Sequence, residues 1–353
     1  MRALTEIHAV VPAGLDDPLL PSGGNTYDRR VLDGLRALGW HASEHPVPGP
    51  WPHPDAAATA CLVDVVAAVP TGSVLLVDGL VASAADAVLV PAADRVRLVV
   101  VVHLPLGVSD PSAAAAEGRV LTAATAVVTT SGWTRDVLLA AYALAPAAVH
   151  VAPPGVDRAP VAAGSIDGGR LTCVGAVTAL KGQADLLAAL ALVDGLSWSC
   201  VLVGALTREP DVVDGLRRRV ASAGLGDRVQ LVGPRVGADL ERTYATADLL
   251  VLPSHVETYG MVVTEALARG VPVLATDVGG VREAVGQAGD GWPGLLVPAG
   301  SPEALATALR SWLTDGTLRE RLRRNALARR DTLSSWSGTA EDVSAVLERV
   351  GIR

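Results

Sequence analysis

The sequence predicts an α/β chain of two doubly wound domains facing each other across a cleft, and three observations predict it. Short apolar runs fall in two series, each run followed by a stretch of helical length and spacing. Between the series, "APPGVDRAPVAAGSIDGG" (152–169) is rich in Pro, Gly and Ala and carries little periodicity, the mark of a linker. The 353 residues are too many for one ordinary core and suit two.

In the first series the strand-like runs lie near 7–11, 40–45, 74–78, 97–102, 126–130 and 148–151. "NTYDRRVLDGLRALG" (25–39) is a typical helix of the series, with apolar spacing at Tyr27, Val31, Leu32 and Leu35 and a closing Gly. The second series has runs near 170–174, 199–203, 228–232, 248–252, 272–275 and 294–297, and the tail from about 302 reads as helical. We place the domains at 1–157 and 158–333, with a last helix over 334–353.

Half of the residues are apolar, so two cores are readily filled, and the net charge of -8 argues against a nucleic-acid surface. The basic stretch "LRERLRRNALARR" (318–330) reads as a solvated helix face, with membrane contact at most peripheral. Cys61, Cys173 and Cys200 are odd in number and widely spaced, as expected of core thiols in a reducing compartment. The start of the chain lacks the pattern of a signal peptide, and "LVVVVHLPLGV" (98–108) is too short to span a bilayer, so the expected location is cytoplasmic. Of the 29 basic residues only Lys181 is a lysine. It is either a survivor of an Arg-biased composition or a point charge kept for a phosphate.

The most informative stretch is "ETYGMVVTE" (257–265). The apolar run "ADLLVLPS" precedes it, and "MVVTEALARG" has helical length and ends on Gly. Glu257 thus falls in the loop at the carboxyl end of a strand, and Glu265 about one turn into the next helix. Backbone amides of Thr258, Tyr259, Gly260, Met261 and Val262 lie between them, where the helix dipole favours an anion. Carboxylates for hydroxyls beside amides for phosphate suit a phosphorylated sugar or a nucleotide. "GDGWPG" (289–294) matches the dinucleotide glycine pattern but precedes a strand, so it reads as a turn. Gly23 and Gly24 sit before the first helix, where backbone approaches a ligand or simply turns. His103 ends the run "RLVVVVH" on the same side of the first domain, and Ser131 in "TTSGWT" reads as a helix cap. No two Asp residues are separated by one position, and His41, His45 and His53 lack partners that complete a metal site. No metal and no cofactor are expected, and charge on a diphosphate must be met by Lys181, arginines and amides.

Together these pieces resemble the retaining glycosyltransferases of family 4, whose two Rossmann-like domains form the GT-B architecture. "VETYGMVVTEALARGVPVLATDVGGVRE" resembles the family's Glu-x7-Glu signature, "LTCVGAVTALKG" its Lys-Gly segment, "VHVAPPGVD" its linker entry and "GLLVPAGSPEALATAL" its closing strand and helix. The resemblance implies a nucleoside-diphosphate sugar donor and a small-molecule, lipid or glycan acceptor. Lys181 would bind the diphosphate, Glu257 and the amides from Thr258 to Val262 the donor sugar and phosphate, and Glu265 the ribose hydroxyls. His103 would lie near the sugar, Gly23 and Gly24 on the phosphate side, and the last helix would pack back toward the first domain. One departure stands out: Ala176 occupies the place of the family's arginine after the "VG" strand end. That departure keeps open a donor-binding protein without turnover; a nucleotide-sugar epimerase is the other alternative, and a nicotinamide dehydrogenase is disfavoured by the missing glycine fingerprint.

Overall fold

The computed structural model describes residues 6–351. The chain divides into two compact units, one made of residues up to Asp16, Gly24–Gly155 and the chain from Ser334 on, the other of Asp17–Gly23 and Val156–Leu333.

The first unit is built on β1 (Glu6–Pro12), β2 (His41–Val47), β3 (Val74–Asp78), β4 (Arg97–Val102), β5 (Ala126–Thr129) and β6 (Val149–Val151), all parallel, in the order β2-β1-β3-β4-β5-β6. The second holds β7 (Arg170–Val174), β8 (Ser199–Val203), β9 (Val229–Gly233), β10 (Leu249–Leu252), β11 (Val273–Thr276) and β12 (Gly294–Val297), again parallel, in the order β12-β11-β10-β7-β8-β9. Every strand-like run of the sequence is therefore a strand. The reason is compositional: a parallel sheet is covered on both faces, so its inner strands are apolar rather than alternating, as in "VLLVD" and "VVVV", whereas the edge strand β2, "HASEHPV", is largely polar. The order reverses between β1 and β3 in one sheet and between β7 and β10 in the other, and such a reversal opens a crevice at the carboxyl ends of the strands.

Each sheet has a core on either face. In the first unit, one of these cores is completed by the last helix, Trp336–Gly351. Its Val343, Val346, Leu347 and Val350 are buried with Ile7 of β1, Val74 of β3 and Val99 of β4. Trp40 Nε1 donates to Ser344 Oγ at 2.9 Å, and Thr339 Oγ1 to the Pro153 carbonyl at 2.8 Å.

Three local readings change or sharpen. The Gly23–Ala37 helix begins at the two glycines instead of after them. "GDGWPG" forms a tight turn, with Ala288 bridged to Gly291, before β12. The basic stretch is not simply a solvated face. Arg323 donates to the Ala162 carbonyl at 2.6 Å, Arg329 to that of Val285 at 3.0 Å and Arg330 to those of Ala268 and Ala159 at 2.8 Å, while Arg321 and Arg324 stay exposed. The Gly316–Arg330 helix thus uses guanidinium forks to satisfy carbonyls of the linker and of helix ends, groups that would otherwise lack donors. Cys173 and Cys200 are buried and Cys61 is half-buried, all three as free thiols. No helix among the described residues is long and apolar enough to cross a membrane.

Truncating Leu347 to Ala removes a fully buried side chain of the last helix and is expected to cost about 2–5 kcal/mol. Amide hydrogen exchange should speed up in β3, β4 and β5 and not in β7–β12; equal loss in both sheets would contradict this assignment of the helix.

Candidate functional site

In the second unit the site forms at the reversal point. Lys181 follows β7 and ends the short 3-10 turn Ala179–Lys181; Glu257 follows β10. The two meet, Lys181 Nζ lying 2.6 Å from Glu257 Oε2. The Lys-Gly dipeptide is dictated by the same packing. Gly182 has φ +66°, and a Cβ there would lie 2.0 Å from the Pro253 carbonyl oxygen, so no other residue fits. The His255 amide donates to the Leu180 carbonyl at 2.8 Å, tying the two loops together.

The loop around Glu257 is fixed from three sides. Ser254 Oγ approaches Glu257 Oε2 at 3.5 Å, Thr276 Oγ1 of β11 donates to the Ser254 carbonyl at 2.5 Å, and the Gly280 amide donates to the Glu257 carbonyl at 3.1 Å. Thr258 lies within this loop. Tyr259 is buried in the core cluster that also holds Val263 and Val285, and burial pushes its hydroxyl up to about 12, so it stays protonated. Gly260 then opens the helix Met261–Leu267, with Met261 and Val262 half-buried in its first turn.

Glu265 sits one turn in and is held by residues the sequence did not single out. Tyr244 Oη donates to Glu265 Oε2 at 2.6 Å, Arg269 Nη1 donates to the Glu265 carbonyl at 2.7 Å, and the Arg269 guanidinium lies 4.8 Å from the centre of the Tyr244 ring. Burial raises the Glu265 carboxyl above the ordinary carboxylate range despite the Tyr244 bond and the Arg269 charge. Neither Arg235 nor Arg282, the arginines that would be candidates to replace the one missing at Ala176, is free for that role: Arg235 bonds Thr243 Oγ1 at 2.7 Å, and Arg282 bonds Asp277 and lies over the Trp292 ring. Gln183 Nε2 donates to the Ala176 carbonyl at 3.0 Å.

In the first unit, His103 stands just past β4. Its Nε2 lies 2.8 Å from Asp28 Oδ1 and 3.3 Å from Asp78 Oδ2. The Tyr27 ring meets the imidazole edge to face at 5.0 Å, and Gly24 is small because a Cβ there would lie 3.2 Å from His103 Cδ2. Gly23 opens the same helix. Asp28 and Asp78 belong to no motif of the sequence, yet each carries a signal. Asp28 lies on the buried face of its helix, three and four positions before Val31 and Leu32, and Asp78 ends the apolar run of β3 much as His103 follows that of β4. Asp78 also caps the next helix, accepting the Leu80 amide at 2.8 Å. Among the described residues these three offer the group of side chains close enough together for one cation, their ligating atoms within 4.8 Å of one another; His41, His45 and His53 do not gather. The imidazole already bridges both carboxylates. Ser131 caps its helix through the Thr134 amide, as expected.

Burial drives the Asp28 carboxyl up, and the nearby Asp78 charge adds to this against the pull of His103. Asp78, equally buried, is held down by its bonds from His103, Asp28 and the Leu80 amide, so Asp28 is the first of the two acids to take up a proton. Burial by itself would lower His103, but the Asp28 charge and the bonds to both carboxylates reverse this and hold it up, at about 10.

Two six-stranded parallel sheets, each reversing its strand order once, with a Lys–Glu pair past the strand ends of one and an imidazole between carboxylates past those of the other, define a GT-B chain. Residues 167–329 match the family described as Glycosyl transferases group 1, and residues 73–159 the one described as Glycosyltransferase Family 4. The chain belongs to glycosyltransferase family 4. It is similar to proteins named D-inositol 3-phosphate glycosyltransferase from Jonesia denitrificans, 36% identical over 60% of this chain and 54% of that one, and from Kineococcus radiotolerans, 35% identical over 66% and 59%. The match thus spans a little over half the length of these relatives. Solved structures of similar fold include HepE of Anabaena in complex with UDP and glucose, with a TM-score of 0.79 at 20% identity over 98% of this chain and 99% of that one. Sucrose-phosphate synthase from Thermosynechococcus elongatus follows at 0.77 and 23%, covering 98% of each chain.

Replacing Gly182 by Ala is expected to cost about 1–3 kcal/mol, because the residue must keep a left-handed backbone and displace the Pro253 carbonyl. An unchanged melting temperature would show that the Lys181 loop is not locked as described. Tyr244→Phe leaves the Glu265 carboxylate short of its buried donor and should cost about 1–3 kcal/mol, read by denaturant unfolding. A raised folded-state value for His103 gives stability that is complete below its ordinary value near 6.5 and is lost as pH rises toward about 10. Asp28, raised to about 7, costs stability as pH climbs from its ordinary value near 3.8 to about 7, so the fall in thermal midpoint from pH 7 to 10 comes from His103 and should be smaller in Asp28→Asn, where one of the two anions holding the imidazolium proton is gone.

Proposed function

We propose that the protein is a retaining, metal-independent glycosyltransferase that moves a sugar from a nucleoside-diphosphate sugar to an acceptor hydroxyl or amine. The observation that carries this reading is the Lys181–Glu257 pair at the reversal point of the second sheet, with Glu265 about one turn into the helix that follows. The names of the relatives and the UDP complex of a fold neighbour support a nucleotide-sugar donor.

The pair suggests how a donor is taken up. A diphosphate brings more charge than one carboxylate, so Lys181 Nζ exchanges Glu257 for phosphate oxygens, and Glu257 is released to accept sugar hydroxyls. The amides from Thr258 to Val262 add donors to the phosphate and sugar, and Glu265, oriented by Tyr244, takes the ribose hydroxyls. As the glycosidic bond breaks, charge grows on the leaving diphosphate, where a fixed ammonium stabilises the transition state more than the ground state. The departing phosphate accepts the acceptor's proton on the face it leaves, which retains configuration. His103 lies near the sugar and Gly23 and Gly24 on the phosphate side.

Lys181→Ala and Glu257→Gln should each lower kcat about 100- to 1,000-fold with folding intact. The assay pairs UDP, GDP and ADP sugars with acceptors headed by D-inositol 3-phosphate, follows the anomeric proton by NMR, and is repeated in EDTA. Inverted product, or turnover that needs a divalent cation, would refute the corresponding part of the proposal. Ala176 favours one rival, a donor-binding protein without turnover, which predicts donor-induced stabilisation and no product with any acceptor. Conversion of donor alone to its epimer would instead identify an epimerase.

A further inference from the structure

The His103 cluster carries more than a contact to sugar. The imidazole is boxed on its sides by the Gly24 backbone and the Tyr27 ring, and its Nε2 is committed to two buried carboxylates. Tyr27 is itself fixed, its hydroxyl donating to the Ala152 carbonyl at 2.9 Å. Nδ1 is the ring nitrogen with no partner among the described residues. The walls around the acids are apolar: Val10, Val31, Leu76 and Val101 line the small cavity beside Asp28 and Asp78. In such surroundings two ionised carboxylates are costly, and a cation between them is the cheapest compensation.

We propose that Asp28 and Asp78 are positioning residues that keep His103 doubly protonated, so that its Nδ1–H is a fixed cationic donor to an oxygen of the bound donor substrate. This rests on the reading of His103 as the sugar-side residue. It assigns His103 the role of a charged hydrogen-bond donor and not that of a base, since the nitrogen lone pairs are both protonated throughout the neutral range. Of the two acids Asp28 is the one pushed up, by burial and by the Asp78 charge, to about 7, so at pH 8 both carboxylates face the imidazolium. The titratable groups that face the imidazole are Tyr27 and Asp28 from the Gly23–Ala37 helix and Asp78 from the end of β3, with Asp342 of the last helix acting on Tyr27.

The test has two arms. In the first, nitrogen-15 NMR of the imidazoles, with His103 assigned through His103→Gln, reads protonation whether or not any sugar is transferred. The expected result is a doubly protonated His103 at pH 8 in the wild-type protein and a titration moved down by at least one pH unit in Asp28→Asn. Asp78→Asn, whose amide keeps the helix cap, should move it in the same direction, so misfolding of one variant leaves the other decisive. A neutral His103 at pH 8, or the wild-type titration in both variants, would overturn the proposal. So would selective broadening of the His103 signal by micromolar Mn2+, which would make the cluster a metal site.

The second arm is kinetic. Asp28→Asn should lose at least tenfold in kcat at pH 8 with donor KM changed less than twofold, and recover most of it at pH 6, where an ordinary imidazole is again protonated. A loss of equal size at both pH values would mean that Asp28 merely supports the fold, against the proposal. Absence of turnover in the wild-type protein would sink the transferase reading, and the NMR arm would still decide the state of His103.

Discussion

Chemistry in this chain is confined by one constraint: a parallel sheet buried on both faces has no surface to offer except the ends of its strands. The inner strands are paired on both sides and commit most of their side chains to a core, and only β2, β6, β9 and β12 lie at sheet edges. Polar side chains therefore collect where the strands stop. Lys181 and Glu257 follow β7 and β10, Asp78 ends β3, and His103 comes just after β4. The reversal of strand order decides which of those ends part from each other, and so where a ligand has room.

The same constraint explains why the polar groups pair with each other. Beside apolar cores a lone carboxylate or ammonium is expensive, so Lys181 rests on Glu257, Glu265 on Tyr244, and His103 on Asp28 and Asp78. Pairs of this kind lock side-chain geometry, and one partner of each pair is itself a residue of the candidate site. Tuned ionisation follows from the burial: the Asp28 and His103 values move up while that of Asp78 moves down, within one cluster.

Much of this was legible in the sequence. Strand positions were, because runs such as "VLLVD" and "VLAT" are too short and too apolar to be anything but buried strands between helices. The Glu-x7-Glu loop and the Lys-Gly turn were, because their residue types sit at fixed offsets from those strands. What the sequence hid were long-range partners. Tyr244 reads as one more apolar position in its helix, and nothing local says that its hydroxyl reaches Glu265. Asp28 looks like an ordinary helix acid until its neighbours Val31 and Leu32 are seen to face inward. Three arginines of the Gly316–Arg330 helix were misjudged for a related reason: charge count predicts solvent, whereas Arg323, Arg329 and Arg330 also satisfy carbonyls 44 to 171 positions away.

The last helix belongs to the first unit, although all six strands of that unit are complete by Val151 and almost two hundred residues of other structure intervene. Until Val343, Val346, Leu347 and Val350 arrive, the face of the first sheet that carries Ile7, Val74 and Val99 is only partly covered, by Tyr27, Val31 and Leu35 of the first helix. On a ribosome, where domains ordinarily form in order of synthesis, this chain reverses the sequence of events: the unit begun first is the one finished last. Its apolar face must be shielded for the whole time the second unit is being made, and the final turn of helix is what ends that exposure.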